Sequence, residues 1–426
     1  MKKLCLSLVL SFCFFISNAQ VNDSVPSNKK VRDSIKKSLL LESLGTGYIR
    51  TKYFNFDSRY LIKYNQYEGF RTGLGGITTE KFSSKFRIQG YAAYGFLDDE
   101  YKYSIGGGLK IAKTTNSWIN FNYTKDLQET GSSNFLTDSR FFQLFEPRLL
   151  NIDLFHKHET KNISVEHPIS AQILSETEFS VSKIEPTYGY TFTPNQLDFY
   201  NRFNVSIFKV ALQWSPFSKF KKTPNKIIEE KEGFPKFTLQ YSKSFEDLFK
   251  SDFNFTKLDF RVVQKFTYSN KTSTEFVLTS GIASGEVPLT HLYHAYPNNV
   301  NKETVIQRFS VAGVNSFETM YFNEFFSDRF ATLQIKHKLN RFNITPWFRP
   351  QLVLISRHAL GDMKNLEEHQ HISFGTLNKG YNESGFEINK LFLGFGLSFA
   401  YRYGAYHLTE FEDNFAFKFT FNIDLN

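Results

Sequence analysis

Only two cysteines occur in the 426 residues, Cys5 and Cys13, and both fall within the first twenty positions. The rest of the chain can therefore form no disulfide or zinc–thiolate site and offers no cysteine nucleophile. For an exported protein this rejects the small disulfide scaffold. Long apolar runs are missing too. Beyond residue 20 nothing approaches the roughly 18 apolar residues that a spanning helix needs. The sequence also has no G-x-S-x-G elbow, and no Ser and His are joined by a recognisable motif. An enzyme is not expected, and no catalytic residue is named.

An export signal is present. Residues 1–20 read MKKLCLSLVLSFCFFISNAQ, with Lys2 and Lys3 as charged start, Leu4 to Ile16 as apolar run, and Ser17-Asn18-Ala19 as small-residue cleavage site. Cys13 lies in mid-run after Phe12, so a lipoprotein reading fails. Cleavage gives the division expected here: signal peptide 1–19, polar periplasmic lead 20–66, barrel 67–426. In the lead, Val31, Ile35 and Leu39 recur at helical spacing before Gly45, which suggests one amphipathic helix over 29–44; a simple tether is the alternative.

Aromatic residues make up 17% of the chain and Phe alone supplies 49, while only 41% is hydrophobic. Large rings on a polar background fit lipid-facing bands around a polar interior. Net charge is +9, falling to +7 once Lys2 and Lys3 leave with the signal. These charges are spread over strands and loops of an exported chain, so no nucleic-acid partner is expected.

The dominant signal is alternation. Phe417 to Asn426 reads apolar and polar in turn, giving one apolar and one polar face on a terminal strand. Repetition decides the matter. Tyr101, Tyr103, Ile105, Leu109 and Ile111 oppose Lys102, Ser104, Gly106, Gly108 and Lys110, and Leu258, Phe260 and Val262 oppose Lys257, Asp259 and Arg261. Leu393 to Tyr403 repeats the pattern against Gly394 to Gly404. These stretches approach the roughly 9–11 residues that cross a bilayer at a tilt. The expected fold is all-β, a transmembrane antiparallel β-barrel. Lys102, Lys110, Arg261, Lys265 and Arg402 are expected to point into its lumen.

Strands are expected at 68–78, 84–97, 100–112, 116–126, 150–158, 162–167, 175–184, 201–214, 236–244, 255–269, 274–284, 304–315, 328–340, 344–356, 383–391, 393–404 and 413–426. Single-chain bacterial barrels have even numbers, so this odd set contains one error, expected within 150–184. The count adopted is sixteen, with fourteen as the alternative. The tight turn 97–100 reads as periplasmic by the short-turn rule, yet parity then puts the long 127–149 connection on the same side.

The runs Glu68-to-Gly76 (EGFRTGLGG) and Lys81-to-Gly95 (KFSSKFRIQGYAAYG), followed by the acidic turn and Tyr101-Lys102-Tyr103, resemble the barrel of a Bacteroidota outer-membrane family of unknown function. The resemblance continues through Phe322–Arg329 (FNEFFSDR), Lys379–Gly385 (KGYNESG), Arg402-Tyr403-Gly404 and Asp413–Ala416. That family usually carries a carboxypeptidase-regulatory-like domain before its barrel, whereas only about 25 residues separate the signal from Gly45 here. The barrel is also distantly similar to surface-antigen barrels of outer-membrane assembly and secretion. Their Arg-Gly-Phe/Tyr tripeptide is absent: Arg402-Tyr403-Gly404 reverses its order.

Candidate chemistry is thin. His156 and His158 share one strand face beside Glu159, with His167 nearby, but two histidines need a third ligand to hold a metal. His291 and His294 lack the helix and glutamate of a metalloprotease motif. Glu367-Glu368-His369-Gln370-His371 reads as a solvated loop tip, and Asp98-Asp99 as an ordinary turn. Gly106-Gly107-Gly108 sits inside a strand and serves close backbone approach rather than phosphate binding. No catalytic, cofactor-binding or metal residue is named, and no cofactor is expected. The chain thus reads as an outer-membrane surface or structural protein, with a transport or assembly pore as alternative and a barrel enzyme as remote alternative. Its partners would be outer-membrane lipid and, during insertion, the barrel-assembly machinery.

Overall fold

The computed structural model describes residues 47–112, 115–140, 148, 151–152, 154–222, 227–269, 271–299, 310–345, 348–392 and 394–421. The export signal, the expected helix over 29–44 and the last five residues lie outside these. Among the described residues the only helices are short 3-10 turns.

The fold is all-β. One antiparallel meander runs through the chain, each strand hydrogen-bonded to the next in sequence. Its strands are β1 (54–65), β2 (Gly69–Thr78), β3 (Phe86–Gly95), β4 (Tyr101–Ala112), β5 (Ser117–Glu129), β6 (Phe155–Pro168), β7 (Ile173–Pro186) and β8 (Phe203–Trp214). They continue as β9 (Lys236–Ser244), β10 (Phe255–Thr267), β11 (Ser273–Gly285), β12 (Arg329–Arg341), β13 (Gln351–Asp362), β14 (Tyr381–Phe392), β15 (Phe395–Tyr403) and β16 (Phe415–Phe421). The sheet has 18 hydrogen-bonded segments. Phe54–Asp57 and Ile62–Asn65 pair with opposite ends of β2 and form one strand broken by a 3-10 turn, and Tyr48–Arg50 is a spur on the first of them. Eighteen segments thus make sixteen wall strands.

Side chains sort inside-out relative to a soluble sheet. Leu74, Ile88, Ile105, Leu109, Phe121, Leu212, Leu239, Leu258, Phe266, Leu354, Phe395 and Phe417 are exposed on the outer face. Asn120, Ser164, Gln240, Lys257, Asp259, Arg357, Glu383, Arg402 and Lys418 are buried within. Strict two-residue alternation produces this directly, because neighbouring side chains leave opposite faces. Lys102 and Arg402 are buried, and Arg261 pairs with Asp138 inside, as expected.

Three expectations change. The segments 150–158 and 162–167 are one strand, β6, paired with β5 from Phe155 to Glu166. The sequence breaks this strand at 159–161 because both faces are polar there: Lys157 pairs with Glu100, and Glu159 accepts from the Tyr123 hydroxyl on the outside. A strand that rises past the apolar band meets water on its outer face, so the hydrophobic half of the pattern fades. Segment 304–315 is not a wall strand over its described part; Val311 makes one parallel bridge to Phe419. The wall also starts earlier than residue 67, in β1.

These changes settle parity. The connections 96–100, 130–154, 187–202, 286–328 and 363–380 all join strands at one rim, and the turns 113–116, 169–172 and 268–272 at the other, with 215–235 as its one long connection. The tight 97–100 turn therefore sits on the long-connection rim and not with the short turns, contrary to its length.

Candidate lumenal site

The longest connection, between β11 and β12, turns into the lumen and touches strands from both ends of the meander. Tyr293 donates to Asp259 of β10 at 2.6 Å, and His294 Nε2 lies 2.8 Å from Glu129 of β5. Glu318 accepts from Lys418 of β16 at 3.0 Å, and Glu324 from Arg402 of β15 at 2.6 Å. One segment can reach β5, β10, β15 and β16 together only if the wall curls around it. The connection is a plug.

Its anchor is a buried polar network. Glu383 of β14 accepts the backbone N–H groups of Glu318 (3.1 Å) and Thr319 (2.7 Å), the Thr319 hydroxyl (2.6 Å) and Arg357 of β13 (2.5 Å). Arg357, Glu383 and Glu318 are each about 1% exposed or less. In so dry a place a charge depends on its partners. Burial opposes the Glu318 carboxylate, yet Lys418 and Arg357 hold it below the usual carboxylate range. Phe317, Met320, Phe325 and Tyr381 pack apolar material beside the network. The outer edge of β16 is also covered by the plug: Ala312 donates to the Phe419 carbonyl and Phe419 to the Ser310 carbonyl. An unpaired strand edge is thereby bonded from inside.

A second cluster caps the long-connection rim. Connections 187–202 and 363–380 join through the pairing of Thr191–Phe192 with His369–Gln370. Beneath it Phe192, Phe203, Phe253, Leu289, Tyr293 and Phe326 form a buried apolar cluster. His369 stacks on Phe192 with ring centroids 5.3 Å apart and bonds to the Tyr190 hydroxyl at 2.9 Å. Burial pushes its imidazole down to about 4.

The other half of the lumen is open. A cavity of about 990 Å³ is lined by Gln89, Asn120, Asn122, Asn162, Ser164 and Glu166 among others. Thr115, Ala171, Gln172 and Ser215 also border it, which puts its mouth at the short-turn rim. The lining satisfies itself: Gln89 donates to Asn122 (2.8 Å), Asn122 to Asn162 (3.0 Å) and Asn162 to Glu178 (2.9 Å). Gly106 and Gly108 make room for these amides, since a Cβ there would meet the Asn122 and Asn120 oxygens at 1.9 and 2.5 Å.

The sequence candidates separate. His156 and His158 face the lumen, and His291 of the plug borders the same inner space. Glu159 points outward, and His167 bonds Ser117 near the short-turn rim. His294 belongs to the plug anchor. His369 is buried in the cap rather than a solvated tip, whereas Glu367 is exposed. Asp98 pairs with Lys102. Among the described residues no group of three His, Asp or Glu could hold a metal. Sequence reasoning missed Glu318, Arg357 and Glu383 as a unit. A signal did exist: Glu324, Glu383 and Arg402 each lie in a different run that carries the family resemblance, and all three meet at the plug.

A wall of this kind, filled by its own connections, chiefly the one between β11 and β12, defines an outer-membrane-type β-barrel. Residues 42–349 match the family of unknown function DUF5686, C-terminal domain, and the chain belongs to that family. No curated protein matches the sequence. Among solved structures it is similar to BamA from Haemophilus ducreyi lacking POTRA domains 1–3, with TM-score 0.51 and 9% identity over 91% of this chain and 77% of that one. CdiB from Acinetobacter baumannii matches with TM-score 0.41 and 12% identity over 84% of this chain and 57% of its own. At such identity the likeness to BamA shows the fold alone.

Proposed function

We propose that the protein is an integral outer-membrane barrel with a structural or surface-interaction role, closed by its own plug and not an open pore. The observation that carries this is the seating of the described residues 286–299 and 310–328 in the lumen, bonded to β5, β10, β14, β15 and β16 and roofed by the aromatic cap. The long-connection rim then faces outside as a surface antigen would, and the short turns and both ends of the meander face the periplasm. Lipid is the partner of the outer apolar face. The export signal, the barrel-assembly machinery during insertion and the Bacteroidota affiliation belong to the same reading. So does the absence of enzymatic activity, because the lumenal carboxylates are already committed to buried partners. Purified full-length protein in planar bilayers should show no steady conductance, and deletion of 287–327 should open a channel. Steady ion passage by the intact protein would sink the proposal.

A protein-assembly or translocation pore is the second reading. One observation favours it: the edge of β16 bonds to plug residues 310–312, so plug movement would free that edge. Cysteines at Ala312 and Phe419, cross-linked in cells, should then abolish the activity while leaving membrane levels unchanged. Full activity with the link in place would eliminate this reading.

A further inference from the structure

Behind the open cavity lies a smaller chamber of about 250 Å³, under the plug and bordered by β5 to β10. The two spaces share Asn134, Asn162, Glu178 and Lys209, so the chamber is reached from the short-turn rim. Five basic side chains face it: His156, His158, Lys209, Lys257 and His291. Only two carboxylates do, and both are occupied. Asp259 accepts from the Tyr293 hydroxyl at 2.6 Å and from Gln240 at 3.4 Å, and Glu178 accepts from Asn162 at 2.9 Å and lies 3.7 Å from Lys209.

Donor capacity is left over. Each imidazole uses Nδ1 on a threonine hydroxyl: His156 with Thr130, His158 with Thr160, His291 with Thr290. Tyr188 donates to the same Thr130 hydroxyl, whose own proton can go to His156 Nδ1 and leave that ring's proton on Nε2. None of the three Nε2 atoms has a partner among the described residues. Lys257 is 8% exposed, and its ammonium lies 4.3 Å from the Tyr293 ring centroid with no ion pair among those residues. Burial, with the like charges of Lys257, His156 and Lys209, pushes His291 well below its ordinary value. With the imidazole neutral, its free Nε2 and the Lys257 ammonium are left as the contacts that an anion entering the chamber could use. Ser180, Ser182, Ser242 and Thr160 add hydroxyls around the same space.

We infer that this chamber binds one small oxyanion of the phosphate type, admitted from the short-turn end and held by Lys257 and the Nε2 groups of His156, His158 and His291. A cation would find both carboxylates already occupied, and no three-ligand cluster among the described residues could hold a metal. The volume suits a single phosphate group, either free or at the end of a larger molecule whose remainder lies in the open cavity.

Calorimetry on the full-length protein in detergent micelles, at low chloride, tests this with inorganic phosphate as the titrant. One saturable site per chain is expected. Lys257→Gln and His291→Gln should each weaken it at least tenfold, roughly the loss of one charge-assisted contact. Lys157→Gln, on the outer face of the same β6 strand, should leave it unchanged. Heat-modifiable migration checks that each variant is folded; should the wall variant Lys257→Gln fail, His291→Gln in the plug carries the comparison. Competition by glycerol phosphate as strong as by phosphate would identify a phosphate end group as the ligand, and weaker competition the free anion. No saturable binding by the intact protein, or unchanged binding in folded Lys257→Gln or His291→Gln, overturns the inference.

Discussion

The two halves of the lumen are built from the same kind of strand and end up unlike. Along β3 to β8 the inward positions are amides, hydroxyls and locally paired charges that satisfy one another and leave a cavity. Along β12 to β16 they include Arg357, Glu383, Arg402 and Lys418, charges whose partners are mostly supplied by the plug. A self-satisfied lining needs no occupant, whereas a lining of unmatched charge requires one, because an unpaired buried charge is costly. The difference teaches that the β12–β16 side holds the plug by electrostatics and hydrogen bonds, which its buried charges require.

The strongest way to break this contrast is Glu383→Ala. It removes the acceptor of four hydrogen bonds and strands Arg357, at a cost of about 3–5 kcal/mol. Limited proteolysis should then cut 310–328 in the variant and spare it in the native protein. Equal resistance would mean that apolar packing alone seats the plug.

The next test works where the halves meet, at the cap. His369 is buried neutral, with its value lowered from 6.5 to about 4. A group whose folded value is depressed in this way binds its proton first when released. Cap stability is therefore full above pH 6.5 and is lost as pH falls toward 4, by up to about 3 kcal/mol. Hydrogen exchange should show 187–202 and 363–380 losing protection over that window, and His369→Gln should flatten the response. A cap insensitive to pH would remove His369 as its linchpin.

The smallest effect compares two inward serines. Ser398→Arg places a long cation in register with Glu387 and Lys418 under the plug, where overpacking costs about 1–3 kcal/mol. Ser164→Arg faces the open cavity and should cost under about 1 kcal/mol. Thermal melting in detergent measures both. Equal losses would mean that the halves do not differ in free space.

The wall was legible in the sequence because alternation is a local property. Tyr101 to Ile111 and Phe395 to Tyr403 carry their inside and outside in the order of their residues, and the structure keeps that phase. Legibility failed where locality failed. His156 to Lys161 is polar on both faces because it stands above the lipid band, a height that no window of sequence encodes. Segment 304–315 alternates like a wall strand, yet its described part meets the edge of β16 from within.

By itself, then, the sequence determined a β-chain, its strand phase and the inward aim of Lys102, Arg261 and Arg402, because each follows from neighbours along the chain. Only the tertiary structure decided which connection fills the lumen, which rim it enters from, and that Glu318, Arg357, Glu383 and Lys418 form one buried unit. These residues are scattered across a hundred positions of sequence. Their charges balance only after the curved wall brings its far strands around the same loop.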